Sequence, residues 1–100
     1  MTKLKVLYAS HKSGINDEGI KNLNLEKLNV WNNSKITNIN RMTKLKELSA
    51  SENCGINDEG IKNLNLEKLN AYNNSKITNV NHMTKLKELD ARGDCGIDDE

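Results

Sequence analysis

The strongest constraint on how this chain folds is that its sequence repeats itself. The segment Met-Thr-Lys-Leu-Lys occurs three times, beginning at Met1, Met42 and Met83, which gives a period of 41 residues. Inside this period two shorter units alternate between 21 and 20 residues, so the chain holds five units. A fixed period of this length is typical of proteins that stack one structural unit on the next, and the sequence therefore predicts a solenoid.

Every unit carries two leucines and an isoleucine at fixed places. These residues are Leu4, Leu7 and Ile15; Leu25, Leu28 and Ile36; Leu45, Leu48 and Ile56; Leu66, Leu69 and Ile77; Leu86, Leu89 and Ile97. Alternation with period two through Leu28 and Val30 predicts a short strand that points these side chains inward and Asn29 and Trp31 outward. Each unit then adds one parallel strand to a sheet.

An asparagine follows the predicted strand in the three inner units. We expect Asn33, Asn53 and Asn74 to be buried, to satisfy backbone groups of the turn and to hydrogen-bond from one unit to the next as a ladder. Residues 32–34 and 73–75 also match the glycosylation sequon Asn-x-Ser. A structural ladder accounts for the same asparagines, and we prefer this interpretation to glycosylation.

The segment that returns the chain to the next strand is of a helical kind in alternate units. After Ile15, Ile56 and Ile97 the sequence reads Asn-Asp-Glu-Gly-Ile-Lys-Asn-Leu or a shortened form of it. Asn16 or Asn57 can cap a helix, and acidic residues follow at the positive end of its dipole. We expect a short helix here.

The other units have a different return segment. After Ile36 and Ile77, apolar residues recur at every third position, as Ile39 and Met42 do. That spacing favours an extended or 3₁₀ return over an α-helix. The segment that was duplicated was therefore a pair of units.

The pattern L-x-x-L-x-(V/A)-x-x-N-x-x-I resembles the leucine-rich-repeat family across the whole chain. The resemblance implies an α/β fold, a single solenoid domain of residues 1–100 made of about five 20/21-residue repeats, with no evident caps. It also implies a short parallel β-sheet on the concave face and short helical, 3₁₀ or extended return segments on the convex face. The helical units resemble the cysteine-containing repeats of substrate-binding adaptors, and the others resemble the short repeats of bacterial internalin-type adhesins.

Three features depart from the family pattern. Lys12 and Asp94 occupy the ladder position in the end units, and one extra residue precedes each isoleucine. Alanine often occupies the third strand position, where we expect a narrow core: Ala9, Ala50, Ala71 and Ala91.

Charge and hydropathy limit the function classes. The net charge is only +1, so the chain lacks the excess of basic residues that neutralises the phosphates of a nucleic acid, and we expect no nucleic-acid partner. No apolar run approaches the roughly 18 residues of a membrane span, and residues 1–8 lack the apolar stretch of a signal peptide. We expect a soluble chain without a membrane span, cytoplasmic if Met1 is the true start. A hydrophobic content of only 35% suits a stack, in which neighbouring units close each other's core.

The first outward positions of each unit alternate in charge. The second position reads Lys5, Glu26, Lys46, Glu67, Lys87, and the third reads Val6, Lys27, Glu47, Lys68, Glu88. Adjacent parallel strands lie about 4.8 Å apart, so stacking places opposite charges side by side. We interpret both rows as part of the scaffold.

Chemistry-bearing residues are scattered rather than clustered. Cys54 and Cys95 stand two units apart, roughly 10 Å, beyond the ~7 Å limit for bridging their Cα atoms, so we expect free thiols with a structural role. His11 and His82 fall on different parts of the coil, and residues 98–100 repeat a helix start. We predict no catalytic site, no cofactor and no metal site.

Differences between the two full copies collect beside the strands. Residues 1–41 and 42–82 differ at nine positions, of which six flank a strand: Val6/Glu47, Tyr8/Ser49, His11/Glu52, Lys12/Asn53, Ser13/Cys54 and Trp31/Tyr72. The third copy departs there again, with Asp90, Arg92, Gly93 and Asp94. Variation within the chain therefore lies mainly on one face.

All three aromatic residues, Tyr8, Trp31 and Tyr72, stand at outward strand positions. Aromatic side chains favour strands in general, but they are also the commonest interface anchors. We predict a partner-binding face centred on them, and its candidate residues are Tyr8, Ser10, His11, Asn29, Trp31, Ser49, Ser51, Glu52, Asn70, Tyr72, Asp90 and Arg92.

The sequence thus favours a non-catalytic module that binds a partner, most simply a protein, through its sheet face. Alternatives are the substrate-recognition part of a larger ubiquitin-ligase adaptor, an adhesin or host-interaction surface, and a fragment or designed array without a native partner. Both ends break off inside the pattern, and solenoids usually need polar caps, so we also expect either further sequence or end-to-end self-association.

Overall fold

The computed structural model describes residues 5–10, 14–52, 54–93 and 95–97. Its strands are β1 (Val6–Tyr8), β2 (Lys27–Asn29), β3 (Glu47–Ser49), β4 (Lys68–Asn70) and β5 (Glu88–Asp90). They form one sheet in the order β1-β2-β3-β4-β5, and every neighbouring pair is parallel. The predicted parallel strand per unit is confirmed, and the result is a solenoid-like stack with little helix.

Equivalent residues of successive units stand side by side in the sheet. The second leucine of each unit forms one row across all five strands: Leu7, Leu28, Leu48, Leu69 and Leu89. Backbone pairing continues past the strand ends, where Ala9 N donates to Asn29 O at 2.8 Å and Val30 N donates to Ser49 O at 2.9 Å. The repeat in the sequence therefore becomes a set of straight rows on the surface.

The core lies behind the sheet and consists of aliphatic side chains from neighbouring units. Leu28 and Val30 are buried, as the alternation predicts. Alanine occupies the position of Val30 in the other units, and it is buried in three of them: Ala9, Ala50 and Ala71. The isoleucines that close the units, Ile36, Ile56 and Ile77, are fully buried. The core is therefore built from equivalent aliphatic positions of successive units.

The predicted asparagine ladder is confirmed at two of its three positions. Asn33 Nδ2 donates to Ala9 O at 2.7 Å and to Ile15 O at 3.0 Å, both in the preceding unit. Asn74 Nδ2 does the same with Ala50 O at 2.7 Å and Ile56 O at 3.2 Å. Both side chains are buried, and these bonds pair their amide groups with carbonyls of the preceding unit.

Cys54 takes part in this ladder, which the sequence did not suggest. Its side chain is fully buried, its Sγ donates to Ala50 O at 3.0 Å, and Asn74 Nδ2 lies 3.3 Å from the same sulfur. Burial raises the pKa of the Cys54 thiol. Cys54 and Cys95 are both free, as predicted from their spacing.

The helical return segments form at the predicted places but differ in type. The first is α1 (Asp17–Ile20), where the Asn16 side chain accepts from Gly19 N at 3.0 Å. The second, Glu59–Ile61, is a 3₁₀ helix rather than an α-helix, although Asn57 Oδ1 accepts from Gly60 N at 2.9 Å in the same way. The third would begin at residues 98–100, which lie outside the described residues.

The intervening return segments contain no regular helix or strand, in agreement with the extended or turn-like prediction. Ile39 and Met42 are buried, and Met42 N donates to Ile39 O at 3.0 Å, which closes a four-residue turn. Backbone atoms here also reach the next unit, since Ile39 N donates to Gly60 O at 3.1 Å.

Several predictions fall outside the described residues. They concern the candidate site residue His11 and the variable residue Ser13. They also concern the residues at the ladder position of three units: Lys12, Asn53 and Asp94. Within the described ranges, no helix is long and apolar enough to cross a membrane.

Candidate functional site

Three parallel rows of side chains cover the outward face of the sheet. The register of the strands defines the charge row as Val6, Lys27, Glu47, Lys68 and Glu88, and the amide row as Tyr8, Asn29, Ser49, Asn70 and Asp90. The same pairing, continued two residues further along each unit, defines the aromatic row as Ser10, Trp31, Ser51, Tyr72 and Arg92. The rows run across the strands, along the axis of the stack.

A groove runs between the charge row and the amide row. It has a volume of about 430 Å³, and residues of all five strands line it. The side chains of Leu28, Leu48 and Leu69 are buried in the core, so the floor of the groove along these three strands is the strand backbone. The groove is therefore bounded by charged side chains on one side and by mostly uncharged ones on the other.

The charge row forms ion pairs between neighbouring strands, as its alternating signs predict. Lys27 Nζ lies 3.6 Å from Glu47 Oε2, and Lys68 Nζ lies 3.4 Å from Glu88 Oε2. The row of second positions alternates in sign too, but within the described ranges its side chains form no ion pair. These pairs hold adjacent units in order, and they leave the groove wall close to neutral.

The amide row has a structural task that the sequence did not reveal. Asn29 Oδ1 accepts from Trp31 N at 2.9 Å, and Asn70 Oδ1 accepts from Tyr72 N at 3.0 Å. Asp90 Oδ1 likewise accepts from Arg92 N at 3.2 Å. Each side chain thus caps the backbone where its strand ends. The Nδ2 groups of both asparagines have no partner among the described residues, so they are donors available to a ligand.

The aromatic row carries two exposed rings. The side chain of Trp31 is 47% exposed and that of Tyr72 is 38% exposed. The guanidinium carbon of Arg92 lies 6.0 Å from the centroid of the Tyr72 ring. That distance is at the limit of a cation–π contact.

Asp90 holds this arginine in place. Arg92 Nε donates to Asp90 Oδ1 at 3.0 Å, and its Nη2 donates to Oδ2 at 2.9 Å. The hydrogen bond from Arg92 holds the pKa of Asp90 below its ordinary value, and the same bond raises the pKa of Arg92. The pair is fully charged at neutral pH, and it fixes the end of the aromatic row.

Tyr8 is on the same face but in a different row. Its side chain is 72% exposed, and it pairs with Asn29 in the amide row rather than with Trp31. The three aromatic residues therefore do not form one line. Trp31 and Tyr72 share the aromatic row, while Tyr8 lies in the amide row on β1 and lines the groove.

Ser51 is less accessible than the other described candidate residues. It was expected among the exposed candidates, but its side chain is buried, with 4% exposure. Ser51 stands in the aromatic row between Trp31 and Tyr72, and a serine is too short to reach past such large neighbours. It provides the floor between the two rings and offers no surface of its own to a partner.

The remaining candidates are partly accessible. Ser10, Ser49 and Glu52 are half-buried. Glu52 has a φ of 61°, a left-handed conformation that it shares with Asn32 and Asn73 at the equivalent places of neighbouring units. The turn after β2, β3 and β4 thus imposes one backbone shape whatever the residue. Variation at Glu52 therefore alters the surface and not the path of the chain.

The sequence also missed residues that line the groove. Lys27, Glu47, Lys68 and Glu88 were assigned to the scaffold alone, yet they form one wall. Their outward position at the third place of the unit could have indicated this. Among the described residues, no group of three or more His, Cys, Asp or Glu side chains could hold a metal ion.

Comparison of the chain with protein-family models, with curated proteins and with solved structures found no match.

Proposed function

We propose that this chain is a leucine-rich-repeat module that binds a partner protein through the outward, concave face of its sheet. The observation that carries the proposal is the exposure of Trp31 and Tyr72 on a hydrogen-bonded sheet. Large aromatic side chains held rigidly at a surface are the residues that most often dominate binding energy, because little side-chain entropy is lost when they are covered.

The polar side chains around these rings support binding rather than catalysis. The carboxylate of Asp90 is occupied by Arg92, and Glu47 and Glu88 face lysines. None of these groups has the unpaired, desolvated setting of a general acid or base. We infer that the face recognises a partner and does not transform a substrate.

The test is loss of binding after removal of both rings. We expect the double variant Trp31→Ala and Tyr72→Ala to weaken partner binding by about tenfold or more, since each ring is a candidate hot spot. Partners captured on the immobilised chain would be identified by mass spectrometry, purified and titrated. Far-ultraviolet circular dichroism should show an unchanged fold.

The matched control changes two exposed side chains at equivalent positions away from this face, Lys44→Ala and Lys85→Ala. Affinity of the control should equal that of the unaltered chain. Equal affinity of the aromatic double variant, with its fold intact, would contradict the proposal.

A further inference from the structure

The two exposed rings of the aromatic row stand two strands apart. Neighbouring parallel strands are separated by about 4.8 Å, so Trp31 and Tyr72 are offset by about 9.6 Å along the stack. A polyproline II helix rises about 3.1 Å per residue and has three residues per turn, or about 9.3 Å per turn. A peptide in this conformation that lies across the strands would meet each ring with the same face.

The hydrogen-bond donors of the amide row have the same spacing. Asn29 and Asn70 stand two strands apart as well, and the Nδ2 of each has no partner among the described residues. The carbonyl groups of a polyproline II helix make no internal hydrogen bonds and need an outside donor. One carbonyl per turn would therefore reach an asparagine of the sheet.

The balance of charge on this face favours an uncharged ligand. The charged side chains beside the groove balance, because Lys27, Lys68 and Arg92 face Glu47, Glu88 and Asp90. An acidic or basic peptide would have to compete with these pairs, whereas an uncharged peptide need not. Residues 1–100 contain no proline, so none of their segments can be this ligand.

We propose that this face binds an uncharged proline-rich segment in the polyproline II conformation, which lies across the strands and packs against Trp31 and Tyr72. The proposal rests on the proposed function and names its ligand class. Trp31 and Tyr72 lie beside the groove, next to the amide row, and exposed aromatic rings are a general means of recognising this helix, since it is already extended and loses little entropy on binding.

The chain provides its own reporter for the test, because Trp31 is its single tryptophan. The probe is a synthetic peptide with four repeats of Ala-Pro-Pro, titrated while Trp31 fluorescence is recorded. The control peptide has four repeats of Ala-Gly-Gly. We expect a saturable change with the proline peptide and at least a tenfold higher Kd with the glycine peptide.

Two variants test the separate contacts. Tyr72→Ala should raise the Kd for the proline peptide about tenfold, and Tyr72→Phe should leave it within twofold. Asn70→Asp removes the Nδ2 donor but keeps the oxygen that caps the strand, as Asp90 shows in the same row. This variant should raise the Kd severalfold.

Absence of a saturable signal, or equal Kd values for the proline and glycine peptides, would overturn the inference. Equal Kd values for the unaltered chain and Tyr72→Ala would overturn it as well. A third outcome separates the two proposals. If the Trp31→Ala and Tyr72→Ala double variant no longer binds a purified protein partner, while the unaltered chain does not bind the proline peptide, the proposed function stands and the ligand class is wrong.

Discussion

Single polar side chains on the return segments join one unit to the next. Asp58 Oδ1 accepts from Thr78 N at 2.7 Å and from Asn79 N at 3.2 Å, and its Oδ2 accepts from the Thr78 hydroxyl. Asp17 makes the equivalent bonds to Thr37 and Asn38. From the sequence these aspartates were interpreted as acids at a helix start, whereas their hydrogen bonds go to the following unit.

These bonds make stability depend on pH. Partial burial raises the pKa of Asp58, but the bonds from Thr78 and Asn79 outweigh that effect, and the pKa is lower in the folded chain than its ordinary value. A carboxylate with a depressed folded pKa stabilises the fold above its unfolded pKa of about 4. That contribution is lost as the pH falls through the folded pKa.

We predict that urea unfolding at a series of pH values between about 5 and 2 will show a steeper loss of stability for the unaltered chain than for Asp58→Asn. Thr78→Val, which removes the hydroxyl donor but keeps the backbone donor, should give an intermediate slope. Parallel curves for the unaltered chain and Asp58→Asn would refute this account of Asp58.

At the scale of the element, one sequence forms two kinds of helix. Residues 14–29 and 55–70 are identical, yet Asp17–Ile20 is α-helical and Glu59–Ile61 is a 3₁₀ helix. The second copy packs against a described unit on its N-terminal side, and the carbonyl of Gly60 accepts from Ile39 N. Contacts between units therefore decide the type of turn, since the local sequence is the same.

The same difference in surroundings predicts opposite effects of one substitution. A Cβ on Gly60 would overlap the carbonyl oxygen of Thr37, whereas a Cβ on Gly19 would meet only Ile15 and Asn16 at 3.5 and 3.7 Å. We expect Gly60→Ala to reduce the free energy of unfolding by about 1–3 kcal/mol through overpacking. Gly19→Ala should be neutral or stabilise by up to about 1 kcal/mol, because alanine favours the helix.

Thermal and urea unfolding of the two single variants would measure both effects. Gly19→Ala acts as the matched control, because the two glycines occupy the same place in the repeat. Equal changes in both variants would show that helix propensity, and not the approach of Thr37, sets the outcome.

At the scale of the whole molecule, the charge row favours correct stacking of neighbouring units. Lysine and glutamate alternate from β2 to β5, so any neighbouring pair of these units brings opposite charges together. Exposed pairs of this kind contribute only about 0.2–1 kcal/mol each. They also disfavour wrong strand pairing, since a strand paired two units away would bring like charges together.

A charge-reversal series tests this role. Glu47→Lys would place three lysines side by side and should reduce the free energy of unfolding by about 0.4–2 kcal/mol, the sum of two neighbouring pairs. Reversal of the entire row, with Lys27→Glu, Glu47→Lys, Lys68→Glu and Glu88→Lys, restores the alternation and should bring stability back to within about 0.5 kcal/mol.

Urea unfolding at low and high salt would measure both variants. The deficit of Glu47→Lys should shrink at about 1 M salt, where the Debye length falls to about 3 Å. A deficit of the same size in the fully reversed row would show that individual side chains, and not their alternation, matter.

The sequence by itself determined the stack, the parallel sheet and the inward rows. These follow from the period of the leucines and from alternation along each strand, which depend only on local backbone geometry. It also determined the unpaired cysteines and the exposed Trp31 and Tyr72, because a repeat fixes the distance and the facing of equivalent positions.

Tertiary structure alone decided how the units touch. Ser51 is buried because its neighbours across the sheet are large, and Cys54 joins the ladder because Asn74 reaches it from the next unit. The caps that Asn29 and Asn70 form at the strand ends are local contacts, each between residues two positions apart, and only the structure shows them. The ladder contact between Asn74 and Cys54 joins residues 20 positions apart, so it depends on the side chains of adjacent units and cannot be assigned from the pattern within one.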